Sequence, residues 1–458
     1  MVTAFFVGTE VAKAADVTFS GQIRTRYEVN EQSDFTDTTE ADDFTATRVR
    51  LNANVKVNDS TSAFIQMQSI RTWGNTLSGT AATGAGSGNA SFTGNDADAS
   101  VGLHQAYFTL KNFATLPVDL QLGRQEVVLD GHRLFGNTGW TTGAQTHDAV
   151  RLTHAHDNMS LVYAWIQANE DGRSADTQDA NDIEAHLAYF GYAGILGGKL
   201  SLTYAYILNG CTPNAALTAC ANALDNDFHT IGFRQAGQLY GIDYRGEYYY
   251  QWGDGNGSAS ALGNFANSGT REIDRDAYMF GIRVGKAFNN VMMKPGLTVW
   301  YDYLSGTDDA ERDANELKTF DTLFDTGHKF YGFMDLYTSS IGANTDGLGL
   351  QDFAIKAKLE PMPGWTLKAD YHWFYTAEGV GGSPNSATGS ATQVFVEDNS
   401  LGNELDVTLI HKYNANTNIS FGYSNYTTSA AFRAVNLDST TTNGDDANWA
   451  YVMFDVKF

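Results

Sequence analysis

The sequence predicts an all-β fold: a transmembrane, antiparallel, up-and-down β-barrel of about eighteen strands. Three observations predict it. Segments of about ten to fifteen residues alternate apolar and polar side chains along most of the chain. The connections between them alternate short and long. The last segment is still alternating when the chain stops at Phe458.

That last segment reads ANWAYVMFDVKF over residues 447–458. Ala450, Val452, Phe454, Val456 and Phe458 fall on one face of a strand. Tyr451, Met453, Asp455 and Lys457 fall on the other. A chain that ends mid-pattern on an aromatic is expected to have a neighbour on each side, which a closed barrel provides because it has no edge. The closing strand of a soluble β-sandwich would look similar over these residues alone.

Composition agrees with the barrel. The chain has 458 residues with 46 Gly and only 6 Pro, as strands joined by turns require, and 13% aromatics. Charged residues make up 18%, against about 25% in soluble domains. Mean hydropathy is −0.30, an average that alternating faces produce by cancellation. No run approaches the roughly 20 apolar residues of a spanning helix. The net charge of −24 argues against a nucleic-acid partner. The acids gather in stretches that read as loops, at 34–43, 170–182 and 308–316, which are expected to be solvated or to hold Ca2+. Cys211 and Cys220 lie in one loop-like stretch and suit a local disulfide or two free thiols; a metal site would need further ligands nearby. Residues 1–14 resemble the end of a secretory signal peptide, with Ala12-Lys13-Ala14 as the small-x-small cleavage pattern. Residues 15–458 are expected to form one domain.

In chain order the expected strands are 17–30, 44–57, 61–74, 100–112, 117–129, 146–156, 159–169, 182–193, 199–208, 227–236, 239–252, 274–288, 292–304, 348–360, 365–375, 403–413, 417–428 and 448–458. Short turns fall near 58, 113–116, 157–158, 194–198, 289–290, 361–364 and 414–416. Long polar loops fall at 75–99, 209–226, 253–271, 305–347, 377–402 and 431–447. Short periplasmic turns with long outer loops are the layout of a bacterial outer-membrane barrel. A propeller would repeat its sequence blade by blade, and no repeat is present. Trp73, Trp165, Trp252, Tyr303, Trp365, Trp373 and Trp449 lie near strand ends, where an aromatic girdle meets the membrane interface.

The polar parity carries Arg24, Arg26, Arg48, Arg50, Lys56, Arg151, Glu184, Arg234, Asp243, Arg245, Glu247, Arg283, Asp302, Lys356, Asp370 and Glu404. Each Arg or Lys facing lipid at mid-depth would cost about 2–4 kcal/mol, so these side chains should face water or each other. Two outcomes are open: a salt-bridge network that holds the barrel open, or a positive constriction selective for anions. Arg71 and Arg124 fall on the apolar parity in a simple count, and a β-bulge would be needed to turn either inward.

Two stretches add a resemblance. GRQEVVLDGHRLFGNTGWTTGAQTHDAVRL (123–152) and TFDTLFDTGHKFYGFMDL (319–336), with AFIQMQSIRTWG from Ala63 and HQAYFTL from His104, resemble the alginate-export family of outer-membrane porins. The resemblance implies an eighteen-stranded barrel with a narrow, electropositive pore for an anionic polysaccharide. It implies that Arg71, Arg124, Arg133 and Arg151 are pore arginines with Asp148 as an acidic partner, and that long loops, the 305–347 loop among them, gate the pore.

The expected function is a bacterial outer-membrane porin, not an enzyme. It would pass polar, anionic solutes by diffusion or export, an alginate-like polysaccharide among them. The expected pore-lining set is Arg24, Arg26, Arg48, Arg50, Arg71, Arg124, Arg133, Asp148, Arg151, Arg245 and Arg283. The expected partners are the lipid and lipopolysaccharide of the membrane and the solute itself, with a monomeric barrel and no cofactor. Two other readings are weighed against it. A sheath for a periplasmic electron carrier would place the haem elsewhere, since no CxxCH motif occurs here. An outer-membrane enzyme would need a nucleophile context, and the ten histidines are scattered, with no GxSxG or HExxH.

Overall fold

A computed structural model describes residues 16–31, 35, 41–73, 101–169, 183–209, 227–255, 273–337, 344–380, 398–436 and 446–458. The strands are β1 (Asp16–Asn30), β2 (Asp42–Lys56), β3 (Thr61–Thr72), β4 (Gly102–Leu110), β5 (Asp119–Gln125), β6 (His147–His156), β7 (Met159–Asn169), β8 (Ile183–Ile195), β9 (Gly198–Asn209), β10 (Phe228–Leu239), β11 (Ile242–Gly255), β12 (Ile273–Ala287), β13 (Gly296–Leu304), β14 (Glu316–Leu317), β15 (Leu350–Leu359), β16 (Trp365–Tyr375), β17 (Ser400–Lys412), β18 (Thr417–Thr428) and β19 (Ala447–Lys457). Two short helices, α1 (Asp309–Ala314) and α2 (Ala430–Asn436), lie in long loops.

Every strand but β14 pairs antiparallel with its chain neighbours, and β1 pairs with both β2 and β19. That last pairing closes the sheet into a barrel of eighteen strands. β14 is a two-residue parallel addition to the rim of β12. At the seam Gly21 and Phe458 exchange backbone hydrogen bonds of 2.6 and 3.1 Å, so the terminal aromatic has the neighbour that its pattern demands.

Side-chain alternation sorts as a barrel requires. On β1, Phe19, Ile23 and Tyr27 are exposed outward, while Arg24, Arg26 and Glu28 are buried inward. Cross-strand partners share a face, so the sorting propagates around the barrel: Leu51 pairs with Met67, and Met67 with Leu103, all outward. The inward face is not uniformly polar, however. β7, β8 and β9 turn Ala164, Ile166, Ala185, Leu187, Ala205 and Ile207 inward, all buried. Leu134 and Phe135 from the 126–146 loop join them, as do Phe320, Phe330 and Tyr331 from the 305–349 loop. The lumen therefore holds a packed apolar core built from folded-in loops.

Some expectations shift. The strand expected at 117–129 stops at Gln125, because residues 126–146 turn into the lumen. The strand expected from 292 begins at Gly296, after a turn in which Met293 and Lys294 take positive φ. Trp449 is buried on the inward parity and belongs to the core, not to a girdle. Glu184 faces outward and accepts a 3.0 Å hydrogen bond from Trp165 Nε1. The acidic run at 308–316 forms α1, capped by reciprocal bonds between Asp308 and Glu311, and Lys318 pairs with Glu311 and Glu316. Cys211, Cys220, residues 1–14 and the acidic stretch 170–182 lie outside the described residues.

Candidate functional site

The two stretches that carry the resemblance meet inside the barrel. Phe135 and Phe324 form a parallel β-bridge. Gly136 N–H donates to Phe324 O at 2.8 Å, Phe324 N–H to Leu134 O at 2.9 Å, and Thr326 N–H to His132 O at 3.0 Å. Backbone bonds plus the apolar contacts around Phe135 and Phe324 make the two loops one plug.

One side of the plug lies on a basic wall formed by β1, β2 and β3. Arg24 donates to the carbonyls of Gly139, Trp140 and Thr141 at 2.7–2.9 Å. Arg26 donates to Trp140 O at 2.9 Å, pairs with Glu28 at 2.6 Å, and lies 4.2 Å from the Trp140 ring centre. One Arg48 nitrogen is shared among the carbonyls of Gly139, Thr141 and Thr142 at 3.2–3.4 Å. Gln68 donates to Gly143 O at 2.9 Å. Arg50 is held by Gln68 and His104, with Glu126 at 3.8 Å. Among the described residues, Arg24 and Arg48 make no ion pair: the groups bonded to them are carbonyls and the Gln22 amide, and Asp455, opposite Arg24 across the β1–β19 pair, is bonded to Gln22 Nε2 at 2.7 Å.

A second anchor lies deeper. Arg133 is fully buried, donating to Glu247 at 3.0 Å, to Asp302 at 2.5 Å and to the Tyr331 hydroxyl at 2.6 Å, with the Phe330 ring 3.7 Å away. Burial alone would lower its pKa; Asp302, Tyr331 and Glu247 outweigh that and hold it well above the ordinary range. Arg245 shares the same two carboxylates. Arg245, Lys356 and Arg283 gather around Trp300, at 4.3, 4.8 and 5.8 Å from its ring.

A separate wall, on β15–β17 and two strands removed from β1, is acidic. Asp352, Glu404 and Asp406 are buried and inward, with Asp352 bonded to His372 at 2.8 Å. Glu404 accepts the Met334 N–H at 2.8 Å, and Gly332 beside it has φ +84°, where a Cβ would collide with the carboxylate. In the plug itself, burial raises the Asp325 carboxyl to about 8, against a partial opposing pull from Arg133. Burial also lowers His132 and Lys329.

The expected pore residues divide as follows. Arg24, Arg26, Arg48, Arg50, Arg151, Arg245 and Arg283 are on the inward face. Arg133 is in a loop, neutralised at the plug's base. Arg71, Arg124 and Asp148 are on the outward face. Arg71 pairs with Thr47 and Arg124 with Ala106, both outward by register. Arg124 bonds Asp148 on that outer side at 2.5 and 2.9 Å. The bulge that could have turned Arg71 inward exists, but it lies in β4, where it points both His104 and Gln105 inward and leaves β3 in register. Sequence reasoning missed Gln68, Trp140, Asp325 and the 139–143 carbonyls. The glycines and threonines of GNTGWTTG signal a turn, but no periodicity reveals what a backbone carbonyl will meet. Among the described residues no group of three His, Cys, Asp or Glu is placed to hold a metal ion.

The family model described as alginate export matches residues 15–444. Solved porins of Pseudomonas aeruginosa share the fold. OccD3 (OpdP) is 12% identical with a TM-score of 0.54, covering 98% of this chain and 92% of its own. OccK8 (OprE) is 12% identical with a TM-score of 0.54, covering 97% and 98%. OccK2 (OpdF), solved in complex with glucuronate, is 11% identical with a TM-score of 0.52, covering 97% and 99%. No curated protein matches the sequence. The chain belongs to the alginate export family: it is an outer-membrane β-barrel of the channel-forming kind, and not an enzyme.

Proposed function

We propose that the protein conducts carboxylate-bearing solutes across the outer membrane along the basic wall of β1–β3. One observation carries this reading: Arg24 and Arg48 are buried inward, and among the described residues neither has an acidic partner within ion-pair distance. Buried guanidinium groups bonded directly only to neutral acceptors, with Asp455 held by Gln22 and not by either arginine, leave part of their charge to a passing anion. A carboxylate suits them, because charge-assisted bonds are roughly twice as strong as neutral ones and a guanidinium fork binds carboxylate in bidentate fashion. The arginines at the base of the plug are different, since Glu247 and Asp302 already neutralise Arg133 and Arg245. The family description adds a polyuronate to the solute class, and a fold relative holds glucuronate.

The test is ion selectivity in a planar bilayer under a KCl gradient. The reversal potential of the wild type should report an anion preference. The triple variant Arg24→Gln, Arg48→Gln, Arg50→Gln should shift it towards cations. An unchanged reversal potential would exclude the basic wall as the selecting element.

A further inference from the structure

We infer that the tip of the 126–146 loop is a built-in competitor for the anion site, and that a solute carboxylate opens the channel by displacing it. This rests on the anion reading above and adds how the site is regulated. The tip is closed at its base and joined there to the second loop, Thr138 N–H donating to Thr326 Oγ1 at 3.1 Å. Gln145 N–H donates to Asn137 O at 2.8 Å and forms its neck. Thr138 and Ala144, just inside the neck, both take left-handed φ, 46° and 58°, a conformation that costs a side-chain-bearing residue of order 1 kcal/mol or more. Beyond them, consecutive carbonyls from Gly139 to Gly143 point at the wall, where Arg24, Arg26, Arg48 and Gln68 donate to them.

Three arginines and a glutamine thus converge on a row of oxygens that belong to the chain itself. Such a row imitates a bound carboxylate in position but not in charge. The tip contacts the wall through uncharged acceptors, so while it is docked Arg24 and Arg48 have no counter-charge in direct contact, Asp455 across the seam being bonded to Gln22 instead. An incoming carboxylate supplies that charge and forms the stronger bonds to the same donors. The tether favours the tip through its effective concentration, on the order of millimolar for a short link. Displacement should accordingly require solute at roughly that level. The rest of the loop can stay in place, because its bridge to Phe324 lies outside the neck. Trp140 is the tip's own anchor, held by Arg26 and His328.

The experiment uses the full-length protein and sodium glucuronate as probe, with glucose as neutral control. Two variants weaken the competitor without altering a wall donor: Trp140→Ala, and replacement of residues 139–143 by two glycines. Calorimetric titration should show glucuronate binding on the order of tenfold tighter in the shortened variant, because the site is no longer mostly occupied. Trp140→Ala should fall between it and the wild type. In bilayers, wild-type open probability should rise with millimolar glucuronate but not with glucose, and the shortened variant should conduct without it. Affinity and opening that match the wild type in both variants would overturn the inference. Wild type and variants that all lack anion selectivity would instead overturn the proposed function, and the two failures are therefore distinguishable.

Discussion

The indole of Trp140 lies flat on the imidazole of His328, with 4.2 Å between ring centres and 4° between planes. His328 is in turn fixed by a 2.8 Å bond to Asp335. One stack thus joins the two loops whose stretches carry the family resemblance, and it does so beside the basic wall. Trp449 and Tyr451 of β19 pack edge-on against the same indole.

Removing that stack should loosen the plug without harming the barrel. A stacked aromatic pair contributes about 0.5–1.5 kcal/mol beyond its buried area. For His328→Ala this predicts a rise of roughly 2- to 10-fold in the open population, read as basal conductance. The β-sheet circular dichroism and its melting should remain those of the wild type. A variant with wild-type conductance would show that the stack does not hold the plug.

Arg133 should behave in the opposite way. Its loss leaves the buried Glu247 and Asp302 with only the longer contacts of Arg245, 3.4 Å to each, and of Arg234, 3.8 Å to Glu247, and breaking a buried pair in this manner costs about 3–5 kcal/mol. Arg133→Gln should lower the thermal midpoint of the near-ultraviolet signal. Adding Asp302→Asn should recover part of the loss, since it removes one of the stranded charges. No loss in the single variant, or no recovery in the double, contradicts the anchor.

Asp325 should make the plug sensitive to pH. Its docked pKa of about 8 lies above the 3.8 of a free carboxyl, so the docked form retains a proton that the released form gives up. Docking is therefore strongest at low pH, weakens as pH rises above about 4, and reaches its weakest level beyond about 8. Arg133 opposes the shift, while Asp321 and Asp335 reinforce it. The thermal midpoint of the near-ultraviolet signal should fall across that window, and Asp325→Asn should flatten the fall. A pH profile identical in wild type and variant would remove Asp325 from the plug's response.

Arg124 and Asp148 supply the negative control. Their side chains are 27% and 51% exposed on the outer side of the barrel, away from the lumen. Arg124→Gln should leave the reversal potential unchanged. A selectivity shift as large as that of the basic-wall variants would return Arg124 to the lumen.

The amino-acid order by itself determined the barrel, because lipid and water impose a period of two that every strand must obey. β1 shows this plainly: Ile23 and Tyr27 are on one parity, Arg24 and Arg26 on the other. The same rule placed Arg48, Arg50, Arg151, Arg245 and Arg283 inward, and the alternation of short and long connections gave the strand count. Parity was also the better guide for Arg71 and Arg124, which the family motif assigned to the pore and the register holds outside.

Only the tertiary structure decided what fills the tube. The inward Ala and Ile residues of β7–β9 read as exceptions to alternation until Leu134 and Phe135 are seen packed against them. The partners of Arg24 are more than a hundred positions away and are backbone oxygens, which no residue type encodes. Arg133 and Arg24 are the same amino acid, yet one is neutralised by Glu247 and Asp302 and the other is not. Alternation is local and can be read from neighbours in the chain, whereas the pairing of charges depends on which loops fold inward and where they stop.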